Sequence, residues 1–254
     1  MSVRIINGDM RDVIRDIPDS SIDCVFADPP YGETSLAWDR WVLDWPTIVR
    51  RVLKPSGSMW VFGSARMFLE HAAEFASWRL SQDVVWEKHN GTGLHNDRFR
   101  RVHELAYHFS RRDVPWAEVW REPQFTNDAT ARAIRRKEKP QHYNPVAPSA
   151  YRSEDGGPRL MRSVIAVRSE HGRADHPTQK PVGIVEPLLL YACPPGGIVL
   201  DPFAGSGTTG VAARRHGRSA VLIEADPEYC AIAERRLRDD APLFQAAEAA
   251  GVPA

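Results

Sequence analysis

The residues Asp28-Pro29-Pro30-Tyr31 directly follow the apolar run Ile22 to Ala27. Two consecutive prolines fix φ, remove two backbone N–H donors and hold the preceding residues extended. The segment therefore presents the Asp28 carboxylate and the carbonyls of Asp28 and Pro29 as acceptors, with no donor between them and an aromatic ring alongside. Taken alone, the tetrapeptide is equally well a strand-to-loop turn with a partly buried Tyr31. A second group of residues lies in "IVLDPFAGSGTTG", where Gly205, Gly207 and Gly210 have the spacing G-x-G-x-x-G between a short apolar strand and a helix starting near Thr208. Nineteen residues after Gly205, Glu224 closes the apolar run "SAVLIE". This is the arrangement in which a strand-to-helix turn admits a nucleotide-like ligand and an acid at the end of the next strand takes ribose hydroxyls.

The glycine pattern is compatible with NAD and with S-adenosylmethionine, because both carry an adenosine with free ribose hydroxyls. A nucleoside triphosphate does not fit, since the lysine of G-x-x-x-x-G-K-[ST] is missing. Asp201, at the end of the strand before the turn, suits an amino or sulfonium group and would repel a pyrophosphate.

An α/β sheet with helices on its faces would position these residues. Short apolar runs alternate with helical patterns at both ends of the chain, with strands expected at Val3–Ile6, Ile22–Ala27, Ser58–Phe62, Asp83–Trp86, Leu105–Phe109, Ile198–Leu200 and Ala220–Ile223. Ser64 is placed to cap a helix carrying Phe68, Ala72 and Phe75 on one face, and Asp226-Pro227 to open a helix running through Arg238. The run after Pro181, "VGIVEPLLLYAC", reads as a buried helix despite Pro187. Between residues 90 and 168 the alternation weakens and turn formers accumulate, which suggests an insertion between segments 1–89 and 169–240, with 241–254 as a tail.

With 254 residues and 43% hydrophobic content, the chain is long enough to bury a full core. Cys24, Cys193 and Cys230 are far apart and suggest neither a disulfide framework nor a zinc cluster. "HELAYH" is not a zinc-protease signature, because Tyr107 stands where the second histidine is required, and His103 and Glu104 are expected in packing or polar contacts near the site. No basic-then-apolar leader precedes Val3 and no apolar stretch approaches a bilayer span, so a cytoplasmic protein is expected. Net charge is zero, yet from Arg98 to Lys139 eleven Lys/Arg face six Asp/Glu. That excess points to a polyanion footprint, with a solvated charged face as the plain alternative.

In combination, "DPPY" and "FAGSG" resemble the motifs of S-adenosylmethionine-dependent DNA amino-methyltransferases, which act on adenine N6 or cytosine N4. Asp28 precedes Phe203 by 175 residues, with the basic segment between them, an order similar to the beta class of that family. "INGD" ending at Asp9, "WEKHNGTG" from Trp86, "RFRRVHE" from Arg98 and "HPTQKP" from His176 extend the resemblance over nearly the whole chain. It implies a Rossmann-like methyltransferase fold, with a seven-stranded, mostly parallel sheet in circularly permuted order and residues 90–168 as a target-recognition insertion. It also implies that Asp9, Asp28, Thr178, Lys180, Asp201, Phe203, Gly205, Ser206, Gly207, Thr208 and Glu224 bind S-adenosyl-L-methionine. Asp28, Pro29, Pro30 and Tyr31 would hold the target base. Adenine N6 is a poor nucleophile because its lone pair is delocalised, and acceptors on both N–H groups would favour a tetrahedral nitrogen for in-line attack.

The implied partner is double-stranded DNA, with the target base flipped out of the helix. Arg98, Arg100 and Arg101, together with Arg132, Arg135, Arg136, Lys137 and Lys139, would contact its phosphates. Asp at the first motif position favours adenine over cytosine in the family. A homodimer is expected, with Trp38, Trp41, Trp45 and the apolar helix after Pro181 available for an interface. The rival readings are an RNA base methyltransferase, an NAD-dependent oxidoreductase that leaves "DPPY" unexplained, and a non-catalytic DNA-binding module.

Overall fold

The computed structural model describes residues 2–92, 96–136, 149–170, 172, 174 and 178–240. Strands, numbered in chain order, are β1 Val3–Asn7, β2 Ile22–Ala27, β3 Leu53–Gly63, β4 Trp78–Thr92, β5 Arg101–Arg111, β6 Phe125–Thr126, β7 Arg132–Arg136, β8 Ser149–Ser153, β9 Arg159–Leu160, β10 Val164–Ala166, β11 Ile198–Asp201 and β12 Ser219–Glu224. Helices are α1 Met10–Val13, α2 Trp45–Val52, α3 Ala65–Glu70, α4 Val182–Ala192, α5 Thr208–Arg215 and α6 Pro227–Asp239. Two compact units result, one combining Met1–Glu122 with Ser163–Ala254, the other spanning Pro123–Arg162.

The first unit is built on an eight-stranded sheet in the order β1-β12-β11-β2-β3-β5-β4-β10. Its β1, β12, β11, β2 and β3 neighbours pair in parallel, β5 runs antiparallel to β3 and β4, and β10 joins β4 in parallel. The sheet has one strand more than the seven expected, because β10 is only three residues long and carries no readable alternation. Successive side chains of a strand leave on opposite faces, so a strand buried on both sides must be apolar throughout. Strand β2 is such a strand from Cys24 to Ala27, after the half-buried Asp23 near its start. Cys24 and Phe26 pack with α4 and α5 residues on one face, while Val25 and Ala27 pack with α1, α2 and α3 residues on the other.

The second unit holds two small antiparallel ladders, β6 with β9 and β7 with β8. The Asp155 side chain accepts from the Ala131 N–H and Arg159 pairs with Asp128, so this unit is held largely by turns and polar contacts. Of the segment 90–168, β5 and β10 belong to the central sheet instead.

Two of the features expected at a dimer interface are core in this structure. Trp45 is fully buried, and Ile184, Val185, Leu188 and Leu189 of α4 are buried under the sheet, leaving Trp38 as the exposed tryptophan of that set. All three cysteines are buried free thiols. No helix among the described residues is long and apolar enough to cross a membrane.

His108 on β5 lies inside the sheet face, beside Trp60, Trp116 and Tyr191, and neither ring nitrogen has a hydrogen-bond partner among the described residues. Burial pulls its pKa down to about 3. The folded protein thus refuses a proton that the unfolded chain takes up below its ordinary value near 6.5. The contribution is fully present above that value and is lost as pH falls towards 3. Between pH 7 and pH 5 the loss should be about 2 kcal/mol. Denaturant melts at the two pH values check this, and the pH dependence should flatten by that amount in His108→Phe. An identical pH dependence in the variant rejects the assignment.

Candidate functional site

Sheet register explains why distant motifs meet. Leu200 of β11 lies beside Val25 of β2, and Asn7 of β1 beside Glu224 of β12, so the carboxyl ends of four parallel strands open together. Strand order reverses between β11 and β2, which is where an open α/β sheet forms its ligand crevice. A cavity of about 220 Å³ occupies that crevice, lined by Asp9, Asp28, Pro30, Thr178, Lys180, Asp201, Phe203, Gly205, Ser206, Thr208 and Glu224 among others. Pro29, Tyr31 and Gly207 do not line it. His176 and Pro177 of "HPTQKP" lie outside the described residues.

Each polar residue of the cavity also has a local partner. Asp9 caps α1 through the Arg11 N–H at 2.8 Å and pairs with the Arg11 guanidinium, whose hydrogen bond holds the carboxyl below its usual value. Asp201 accepts from the Phe203 N–H at 3.0 Å and the Thr209 hydroxyl at 2.6 Å. Burial nevertheless pushes its pKa up to about 7. Glu224 receives the Gly205 N–H at 2.7 Å and the Asp226 N–H at 2.9 Å, and burial raises its pKa against those bonds. Thr208 donates to the Lys180 carbonyl and Ser206 to Gln179.

The glycine turn does not behave as a phosphate cradle. The N–H groups of Phe203, Ala204, Gly205 and Gly207 are all spent inside the fold, on Asp201, Ile223, Glu224 and Ala204. A pyrophosphate needs such donors and an absence of facing acids. Here Asp9, Asp28, Asp201, Glu224 and Asp226 face a single ammonium among the described lining residues, that of Lys180. Phe26, Phe62, Phe203, Trp38 and Tyr229 supply apolar and aromatic walls, with Trp38 and Tyr229 hydrogen-bonded to each other. The cavity is therefore fitted to a ligand carrying positive charge and a flat ring system, which suits S-adenosylmethionine and not NAD. Sequence reasoning missed Trp38, Gln179 and Tyr229 as lining residues; only the fold brings these three to the glycine turn.

Around Asp28 the structure shows a chain of buried charges. The Tyr31 hydroxyl donates to Oδ1 and the Lys180 ammonium to Oδ2, each at 2.5 Å. Lys180 Nζ also lies 3.3 Å from Glu104 Oε2, and Lys88 donates to the other Glu104 oxygen. Burial alone would raise the Glu104 pKa, but the Lys180 and Lys88 ammonium groups win and bring it down to about 2. For Lys180, burial works downward and the Asp28 and Glu104 carboxylates overcome it, leaving the pKa above the usual lysine value. The lysine that the resemblance assigns to cofactor binding thus has its charge on Asp28. Lys88 was not singled out from the sequence; alternation along β4 puts it on the same face as Trp86, the one available sign.

The basic residues separate into three groups. Arg98 and Arg100 are exposed before β5, with Arg98 paired to Asp97, and Arg101 reaches Glu33 at 3.2 Å in the loop after Tyr31. Arg132 is exposed on β7 of the second unit. Lys137 and Lys139, and the side chains of Arg135 and Arg136, lie outside the described residues.

A doubly wound α/β protein with an acidic, aromatic-walled nucleoside crevice at its switch point is the class that fold and site define. The chain belongs to the DNA methylase family of N6 and N4 enzymes, which matches residues 22–235. Type II methyltransferase M.HinfI of Haemophilus influenzae is 28% identical over 267 aligned positions, covering 94% of this chain and 69% of that protein. Type II methyltransferase M2.LlaDCHI of Lactococcus lactis subsp. cremoris is also 28% identical, with 93% and 90% covered. Among solved structures, the M1.HpyAVI–SAM complex aligns with a TM-score of 0.63 at 25% identity, over 92% of this chain and 100% of that one. The PvuII DNA methyltransferase, cytosine-N4-specific, shares the fold with a TM-score of 0.62 at 17% identity, over 94% and 91%.

Proposed function

We propose that this DNA methylase transfers a methyl group from S-adenosyl-L-methionine to adenine N6 in duplex DNA. The observation that carries this reading is that Asp28 and the glycine turn open onto one cavity, so the acceptor of an amine and the holder of a cationic donor lie within reach of one transfer. When bound, S-adenosylmethionine supplies a methyl group on a positively charged sulfur. Glu224, half-buried at the end of β12, and Asp201, buried at the end of β11, set the acidic wall that favours that charge. Asp28 and the Pro29 carbonyl accept the two N–H bonds of the target amine, which aims its lone pair into the cavity, and Tyr31 stacks on the base.

A base inside a duplex is out of reach of this crevice, so it must be flipped out, at a cost of a few kcal/mol that stacking and hydrogen bonding offset. Arg98, Arg100 and Arg101, just before and at the start of β5, would contact the phosphate backbone, and the basic residues of the second unit are assigned to the same kind of contact. Cytosine N4 presents the same exocyclic amine, and the choice of adenine follows the Asp in "DPPY". Incubation with tritiated S-adenosylmethionine and mixed-sequence duplex DNA, followed by single-molecule mapping of modified bases, tests the reading. Label in N6-methyladenine is expected; label confined to N4-methylcytosine moves the assignment to cytosine, and none on any DNA rejects transfer.

A further inference from the structure

Both oxygens of the Asp28 carboxylate are engaged in this structure, Oδ1 by the Tyr31 hydroxyl and Oδ2 by the Lys180 ammonium. An incoming amine must find an acceptor there, and the positive charge that develops on its nitrogen during transfer is opposed by an ammonium resting on the same carboxylate. Lys180 cannot simply withdraw. Its side chain is only 9% exposed, lies over the Phe62 ring at 5.4 Å, and would be a buried unpaired charge. A second carboxylate, Glu104 on β5, already stands 3.3 Å from the same ammonium. Glu104 is kept anionic by Lys180 itself and by Lys88, whose side chain is 8% exposed. Two ammonium groups and two carboxylates make the cluster neutral, so moving Lys180 from one acid to the other changes no net charge.

We propose that Glu104 is a positioning residue for methyl transfer: it takes the Lys180 ammonium from Asp28 when the target amine enters, freeing the carboxylate oxygen that receives an N–H of that amine. Lys180 is thus a clamp that holds Asp28 in place before DNA arrives and is released to Glu104 afterwards. The inference rests on the proposed role of Asp28 as acceptor for the target base. It places the control of that acceptor on β5 and β4, outside the motif that carries it.

Without Glu104, Lys180 has only Asp28 to pair with and the clamp stays closed. Full-length Glu104→Gln should therefore lose about tenfold or more in kcat while its affinity for S-adenosylmethionine stays within about threefold. Lys180→Met should lower kcat by itself, because Asp28 is no longer held, but adding Glu104→Gln to it should change kcat by less than about twofold, since there is no ammonium left to receive. Wild-type kcat in Glu104→Gln, or losses that multiply in the double variant, overturn the hand-over. A merely structural Glu104 lowers the melting temperature and the active fraction without this non-additivity. Should the glutamine variant melt too early to assay, Glu104→Asp keeps the charge but withdraws it from Lys180, and the same cycle is read with that pair. An active wild type with an inactive Asp28→Ala alongside multiplying losses rejects this inference alone; a wild type that methylates no DNA rejects the proposed function beneath it.

Discussion

Asp28→Ala is expected to reduce methyl transfer by about a thousandfold or more while leaving affinity for S-adenosylmethionine within a few-fold. In the proposed reading the carboxylate is the acceptor for the target amine, and its loss removes the preorganised group that would draw the nitrogen lone pair into line. The fold should tolerate the change. Lys180 keeps Glu104 as a partner at 3.3 Å, so no buried ammonium is orphaned, and only the Tyr31 hydroxyl loses its acceptor. That unmet hydroxyl costs about 1–3 kcal/mol, small enough for a chain of this size to remain folded. Calorimetry and a tritium-transfer assay on one preparation test both halves of the expectation. Turnover above about a tenth of wild type would show that the acceptor role lies elsewhere, and cofactor affinity lost in parallel would make Asp28 a binding residue first.

The sequence made the centre of the sheet legible because burial leaves a continuous apolar run. Strand β2 was expected at Ile22–Ala27 and is found there, and β1, β11 and β12 extend by no more than a residue at either end. The strands beyond β3, in the order β5-β4-β10, were not legible to the same extent. Strand β4 runs from Trp78 to Thr92 through Arg79, Ser81, Gln82, Asp83, Glu87 and Lys88, and its polar positions broke the alternation that exposed only Asp83–Trp86. Helix α2 was not expected at all, since its entry residue, Asp44, has a left-handed φ of 62° and no side-chain cap bond marks its start.

The site divides along the same line. Motif spacing named the residues of the glycine turn and the Asp28 loop, because each motif is local in the chain. It could not show that the Lys180 ammonium meets Asp28, 152 positions away, nor that Glu104 and Lys88 complete the charge chain, since those contacts exist only through the β2–β3–β5–β4 neighbourhood of the sheet. The acidic character of the cavity is likewise a product of register, which gathers carboxylates from the ends of β2, β11 and β12 and from the loops beside them.

Gly207 is where structure most changes an expectation. By its place in G-x-G-x-x-G, a side chain there should collide with the methionine end of the cofactor. In the structure Gly207 has a φ of +78°, and an added Cβ would lie 2.8 Å from the Ala233 Cβ on α6, away from the cavity lining. The glycine is needed for helix packing. A left-handed backbone costs a residue with a Cβ roughly 1–2 kcal/mol, and forcing methyl groups into a packed contact costs about 1–3 kcal/mol more. Gly207→Val should therefore destabilise the protein without any ligand, by about 3 kcal/mol, or a melting temperature lower by roughly 6–12 °C. Ala233→Gly removes the facing methyl at the expense of about 1 kcal/mol of helix propensity. Combined with Gly207→Val it should restore part of the loss, as a favourable coupling in a double-mutant cycle read by urea melts. The backbone portion of the penalty should remain, because relief at Ala233 does nothing for φ. An unchanged melting temperature together with abolished S-adenosylmethionine binding would return Gly207 to the cofactor.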